Sequence, residues 1–120
     1  MLDITFYSET KKSENVVVPE SFLEWLAKSQ FTKIDKSVPK ELIIDDEPIE
    51  LELVRLVGKN RRKYSDFFRD EIVEESSIVL EKLGSSPSKK EYQDATFKLL
   101  LLQKLRKLVE DESYQYIRYL

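Results

Sequence analysis

Hydrophobic positions follow two different patterns along the chain. Over residues 1–60 many apolar side chains alternate with polar ones, whereas over residues 61–112 they recur every three or four positions. Alternation is typical of half-buried β-strands, and a spacing of three to four residues is typical of amphipathic helices. The sequence therefore predicts a β-rich half over 1–60, a helical hairpin over 61–112 and an aromatic tail over 113–120.

The N-terminal part of the chain predicts two strands and one helix. Residues 2–7 alternate as a strand does, with one side formed by Leu2, Ile4 and Phe6. Residues 16–18 are a short β-branched run, which predicts a second strand. Behind Pro19 the chain reads as a helix to about residue 29, because apolar side chains recur at helical spacing at Phe22, Leu23, Trp25 and Leu26.

A β-hairpin is predicted in the middle of the chain. Residues 38–44 and 49–57 are β-prone and flank a polar turn that consists of Asp45, Asp46, Glu47 and Pro48. In the second arm Glu50 and Glu52 alternate with apolar residues. One face of this arm is therefore acidic, and the other is expected to face the core through Ile49, Leu51 and Leu53.

Two long helices are predicted over residues 62–83 and 89–111. Gly84 follows the first of them, in the position where glycine commonly ends a helix. Ser88 and Glu91 have the spacing of a capping box, which would start the second helix after a short turn. The tail is aromatic and alternating, and its pattern leaves two outcomes open: a terminal strand or an extension of the last helix.

Together these elements predict one domain of the α+β class over residues 1–120. A chain of this length fits one hydrophobic core and is too short for two. We expect a small sheet, made of the N-terminal strand and the hairpin, to pack against the N-terminal helix and the helical hairpin. The side chains expected in the core are Leu2, Ile4, Phe6, Phe22, Leu26, Leu51, Leu53, Ile72, Val79, Leu99 and Leu102.

The amino-acid composition removes most familiar enzyme chemistries. The chain has no cysteine and no histidine, which excludes thiolate and imidazole groups as nucleophiles, bases or metal ligands. No apolar run approaches the roughly 20 residues that span a bilayer, and residues 2–7 do not resemble a signal peptide. We therefore expect a soluble cytoplasmic protein that uses no cofactor.

The charge of the chain favours a basic protein partner over a nucleic acid. The formal net charge is -3 and the isoelectric point is near 5.2, whereas duplex-binding domains usually carry a basic face and a high isoelectric point. The first 60 residues are the acidic half, with 12 acidic against 8 basic side chains. A weaker hypothesis of nucleic-acid contact rests on the compact basic run Arg61, Arg62 and Lys63.

Two groups of side chains are candidates for protein binding. The predicted hairpin has the densest acidic cluster, which consists of Asp45, Asp46, Glu47, Glu50 and Glu52. Clustered like charges accelerate the encounter with a protein of opposite charge. The tail carries tyrosines, a residue type that is favoured in interfaces, at Tyr114, Tyr116 and Tyr119. The alternative is that these tyrosines, like Trp25, are buried in the core.

In size, acidity and lack of cysteine the chain resembles small bacterial immunity and inhibitor proteins, which neutralise a toxin by covering its active site. This is a resemblance of type and not of motif. It implies a non-enzymatic protein whose acidic hairpin binds a basic partner. If the partner is a nuclease, the acidic side chains would mimic the charge of the substrate phosphates.

A second hypothesis concerns acidic residues on the two long helices. Asp70, Glu71 and Glu74 lie on the first predicted helix, and Glu91 and Asp94 lie at the start of the second. With these acidic groups, residues 67–105 resemble the paired acidic motif of the MazG-like nucleotide pyrophosphohydrolases, all-α enzymes in which helical carboxylates hold Mg²⁺ and a nucleoside triphosphate. The resemblance implies Mg²⁺ ligands at Glu71, Glu74, Glu91 and Asp94. At 100° per residue, Glu91 and Asp94 fall on the apolar side of their helix, but Asp70 and Glu74 point away from the helical seam.

Overall fold

An antiparallel sheet and three α-helices make up the fold in the computed structural model, which describes residues 2–10, 12–84 and 88–119. In the first half, β1 spans Leu2–Tyr7, β2 spans Glu14–Val18 and α1 spans Glu20–Lys28. A short 3-10 helix follows over Gln30–Lys33, and then come β3 over Val38–Ile44 and β4 over Glu47–Arg55. The second half contains α2, α3 and β5, which span Lys59–Gly84, Lys89–Glu110 and Tyr116–Arg118. The α+β prediction is confirmed.

The C-terminal strand β5 occupies the centre of the sheet. The strand order is β2-β1-β5-β4-β3, and all neighbouring strands are antiparallel. Ile117 is the partner of Phe6 on one side and of Val54 on the other. The tail is therefore a strand and not an extension of the last helix, because it joins the two hairpins into one sheet.

One face of the sheet packs against the helices. Side chains that alternate along the strands are buried on this face at Ile4, Phe6, Val16, Val54 and Ile117. The helices cover them with Leu26, Tyr64, Phe68, Leu102 and Leu105. Burial of these apolar surfaces is the main favourable contribution to folding.

Phe31 is the centre of an aromatic cluster that the sequence pattern did not predict. It lies on the 3-10 helix and is 1% exposed. Its ring centroid is 4.9–5.6 Å from four other rings, those of Tyr64, Phe67, Phe68 and Tyr119. The 3-10 helix thereby connects α2 to the end of the chain.

Most of the predicted core is buried, with differences at the ends of elements. The buried members are Ile4, Phe6, Phe22, Leu26, Leu53, Val79 and Leu102. Leu51, Ile72 and Leu99 are half-buried. The prediction for Leu2 was wrong, since this side chain is 47% exposed. Leu2 is the first residue of β1, where the ladder ends at Val18.

The helices α2 and α3 form the predicted helical hairpin. Ser88 caps α3, because its Oγ accepts a hydrogen bond from the backbone N–H of Glu91 at 3.2 Å. The helix α2 begins at Lys59, earlier than predicted, and includes Gly84 instead of ending before it. No helix in the described part of the chain is both long enough and apolar enough to cross a membrane.

Candidate functional site

The turn between β3 and β4 is shorter than the sequence suggested. Asp45 and Asp46 have φ angles of 52° and 65°, and two successive residues with positive φ form the tight turn that suits a twisted hairpin. Glu47 and Pro48 were predicted in the turn but belong to β4, because the ladder continues to the pair Ile44 and Glu47. The acidic residues at this turn are therefore held by a regular hairpin.

The far end of this hairpin extends beyond the rest of the sheet. The strand β3 is an edge strand, and β4 pairs with β5 only through Val54 and Arg55. We call residues 41–50 the hairpin tip. Within it Leu42 is buried, but Ile43 is 77% exposed and Ile49 is 37% exposed. The expectation that Ile49 faces the core was wrong, because no part of the core cluster lies on the hairpin tip. Leu53 is buried but lies outside that cluster, whereas Val54, on the same side of β4 as Glu50 and Glu52, belongs to it.

All five predicted acidic residues of the hairpin are exposed. The register adds a sixth, because Glu41 lies directly opposite Glu50, and Glu52 follows on the same face of β4. Like charges at directly opposed positions destabilise a sheet. Among the described residues, no salt bridge neutralises these carboxylates. We call Glu41, Glu50 and Glu52, together with Asp45, Asp46 and Glu47 at the turn, the acidic face, although Glu47 points to the other side of β4.

The three tyrosines of the tail do not form one exposed group. Tyr114 is 6% exposed and packs edge-on against Phe6 at 6.0 Å, so it belongs to the core and not to a binding surface. Tyr119 is half-buried against Phe31, and burial raises its pKa above the ordinary value of a phenol. Tyr116 is half-buried and lies below the ammonium group of Lys40, 5.7 Å from its ring centroid.

The basic run at the start of α2 is divided between the interior and the solvent. The guanidinium group of Arg61 donates four hydrogen bonds of 2.6–2.9 Å to backbone carbonyl oxygens, those of Leu56, Val109, Asp111 and Tyr114. Tyr64 is fully buried. Only Arg62 and Lys63 remain exposed. Arg61 therefore stabilises the fold and is not available to a phosphate, which weakens the nucleic-acid hypothesis.

The carboxylates of the metal hypothesis do not converge. Glu74, Glu91 and Asp94 are exposed, whereas Glu71 is half-buried. The exposure of Glu91 and Asp94 contradicts their predicted place on a buried stripe, because the described buried side chains of α3 begin only at Leu101 and Leu102. Within the described residues, no group of three acidic side chains has a geometry that could hold a metal ion.

A partly buried charge cluster lies between α2 and α3. The ammonium group of Lys98 contacts Glu75 Oε1 at 3.1 Å, and Glu75 is 14% exposed. Burial raises the pKa of Glu71 above its ordinary value of 4.5. The nearby carboxylates of Glu74, Glu75 and Asp70 raise this pKa further, whereas the ammonium group of Lys98 lowers it. Glu71 is thus held in an environment that disfavours its charged form.

Replacing Glu71 with glutamine is expected to stabilise the protein at neutral pH. The folded protein binds this proton more tightly than the unfolded chain, so stability falls as the pH rises through and above 4.5. Glutamine does not ionise, so the variant avoids the loss of stability that ionisation of Glu71 causes above this pH. Urea unfolding at about pH 4 and about pH 7 should show a gain at the higher pH only. An equal gain for the exposed control Glu81→Gln would contradict the assignment.

Comparisons with known proteins do not assign this chain to a family. No protein-family model, no curated protein and no solved structure matches it.

Proposed function

We propose that this chain is a non-enzymatic protein-binding protein of the cytoplasm that engages a basic partner through its acidic hairpin. Its mode of action resembles that of bacterial immunity and inhibitor proteins, which cover the active site of a toxin. A nuclease is the kind of target that fits best, because its cleft is positively charged to bind phosphates. The acidic face would occupy that cleft in place of the nucleic acid.

The observation that carries this proposal is the arrangement of the hairpin tip. Glu41 and Glu50 repel each other across the strands, and the next pair on the same face is the exposed Ile43 with Pro48. The charge repulsion destabilises the isolated hairpin, and the exposed Ile43 contributes little buried apolar surface to it. A partner surface that offers cationic groups beside an apolar patch would remove the repulsion and bury Ile43. This combination supports protein binding more than a simple solvated surface.

Neutralising five of the six carboxylates of the acidic face, with Glu41 left unchanged, is expected to slow association with the partner. The variant replaces five side chains by their amides, at Asp45, Asp46, Glu47, Glu50 and Glu52. Asparagine tolerates the positive φ of the turn, so the hairpin should persist. Because exposed charges steer the encounter, the association rate constant at low salt should fall roughly tenfold to hundredfold, with a smaller salt dependence and little change in dissociation.

The partner is isolated with tagged wild-type chain as bait, and rates are then measured at several salt concentrations. A matched variant loses the same number of charges at exposed positions elsewhere, at Asp3, Glu20, Glu24, Glu74 and Glu81. Equal slowing by both variants would show that only net charge matters and would contradict a role for the hairpin. Recovery of no partner, together with pyrophosphate release from a nucleoside triphosphate, would favour the enzyme hypothesis instead.

A further inference from the structure

A groove of about 380 Å³ lies between α1 and α3, away from the acidic hairpin. Its walls are mainly apolar and aromatic, with Ser21, Phe22 and Trp25 on α1 and Asp94, Phe97 and Lys98 on α3. This volume falls within the range of roughly 300–1,000 Å³ that is usual for ligand pockets. The groove is therefore large enough to take apolar side chains from a partner.

The one ammonium group that lines the groove is already neutralised. Lys98 Nζ lies 4.1 Å from the ring centroid of Trp25 and 3.1 Å from Glu75 Oε1. A cation that is held by both an aromatic face and a carboxylate is well satisfied. Glu71 also acts on Lys98 through its charge. Lys98 therefore forms part of the wall and offers little attraction to an anion.

Asp94 is the charge that remains uncompensated. It lines the groove, it is exposed, and no described residue forms a salt bridge with it. Lys98 is paired with Glu75, and Glu71 also acts on it, although neither of these carboxylates lines the groove. Asp94 is therefore the acidic group in the groove wall that complements a cation.

Exposed apolar side chains continue from the groove along α3. Phe97 is 48% exposed at the groove, and Leu100, one turn further along α3 and beyond the edge of the groove next to Phe97, is 63% exposed. A compact small molecule would cover only the groove. A segment of polypeptide would cover the groove and Leu100 together.

We propose that this groove binds a short segment of a partner protein in which an apolar side chain lies beside a lysine or arginine. The apolar side chain packs between Phe22, Trp25 and Phe97, and the basic group pairs with Asp94. This is a second docking surface, and it does not depend on the proposed role of the acidic hairpin, because no residue of that hairpin lines it.

The test is a selection from a displayed library of random peptides, with the full wild-type chain as target. Selected peptides should combine apolar and basic residues. Trp25 is the only tryptophan of the chain and lines the groove, so its fluorescence reports binding directly. Phe97→Ala should weaken the selected peptides at least about tenfold and Asp94→Asn about three- to tenfold, because an anchor and a charge partner are lost.

Two controls distinguish this groove from the acidic hairpin. The variant with five amides in the hairpin should bind the selected peptides with unchanged affinity. Far-UV circular dichroism should be unchanged in Phe97→Ala, because that side chain is half-exposed. Enrichment of no peptide, or of peptides that ignore both groove substitutions, would overturn the proposal. So would preferential enrichment of acidic peptides, or binding that leaves Trp25 fluorescence unchanged.

Discussion

Replacing Arg61 with alanine is expected to lower the free energy of unfolding by about 3–5 kcal/mol. The guanidinium group is the donor for carbonyl oxygens at the end of β4, at the end of α3 and in the segment before β5. These groups would lose their partner in a partly buried place, where an unsatisfied acceptor is costly. Burial lowers the pKa of Arg61, while the nearby carboxylates of Glu112 and Asp111 raise it.

The matched control for this prediction is the neighbouring residue Arg62. Its side chain is 87% exposed, and its only described salt bridge is the one to Asp66 at 4.0 Å, so Arg62→Ala should cost less than about 0.5 kcal/mol. Arg61→Lys should be intermediate, because an ammonium group cannot reproduce the planar fork of a guanidinium. Urea unfolding measures all three variants. Equal midpoints for Arg61→Ala and Arg62→Ala would refute the structural role.

The position of Arg61 could not be predicted from the sequence. Its four acceptors come from Leu56, Val109, Asp111 and Tyr114, so the site exists only after α2, α3 and β5 have assembled. In the sequence Arg61 is simply the first member of a basic run. The structure separates it from Arg62 and Lys63, which point into solvent.

The regular elements were predictable because each has its own hydrophobic period. Alternation in β1 and helical spacing in α3 depend on local side-chain direction, which needs no knowledge of the partner. The strand β5 has three residues, Tyr116–Arg118, and its conformation is decided by pairing with β1 and β4. A segment of that length carries too little pattern to choose between strand and helix.

In the candidate binding surfaces, too, some features follow from the local sequence and others depend on the tertiary structure. Exposure of the acidic residues of the hairpin follows from their polarity and was predictable. The pairing of Glu41 with Glu50 depends on the turn at Asp45 and Asp46, because a longer turn would change the register. The groove beside Trp25 depends on how α1 and α3 are placed, which no local pattern records.

Replacing Phe31 with alanine is expected to cost about 3–5 kcal/mol, comparable to the loss at Arg61. The ring is fully buried among four aromatic rings, and its removal would leave a cavity between α2 and the C-terminal strand. Phe31→Leu should cost clearly less, because it fills part of that space. As a control, Val57→Ala removes a side chain that is 48% exposed and should change stability by less than about 0.5 kcal/mol.

The contact between Phe31 and Tyr119 also allows a test of whether the tail stabilises the fold or binds a partner. Their ring centroids are 5.0 Å apart with an interplanar angle of 85°, an edge-to-face geometry. If Tyr119 stabilises the fold, a double-mutant cycle of Phe31→Leu and Tyr119→Leu should give a coupling energy of about 0.5–1.5 kcal/mol. Additive losses would contradict that role. If the association measurements then showed faster partner dissociation for Tyr119→Leu, this tyrosine would belong to the binding surface, because aromatic anchors act mainly on dissociation.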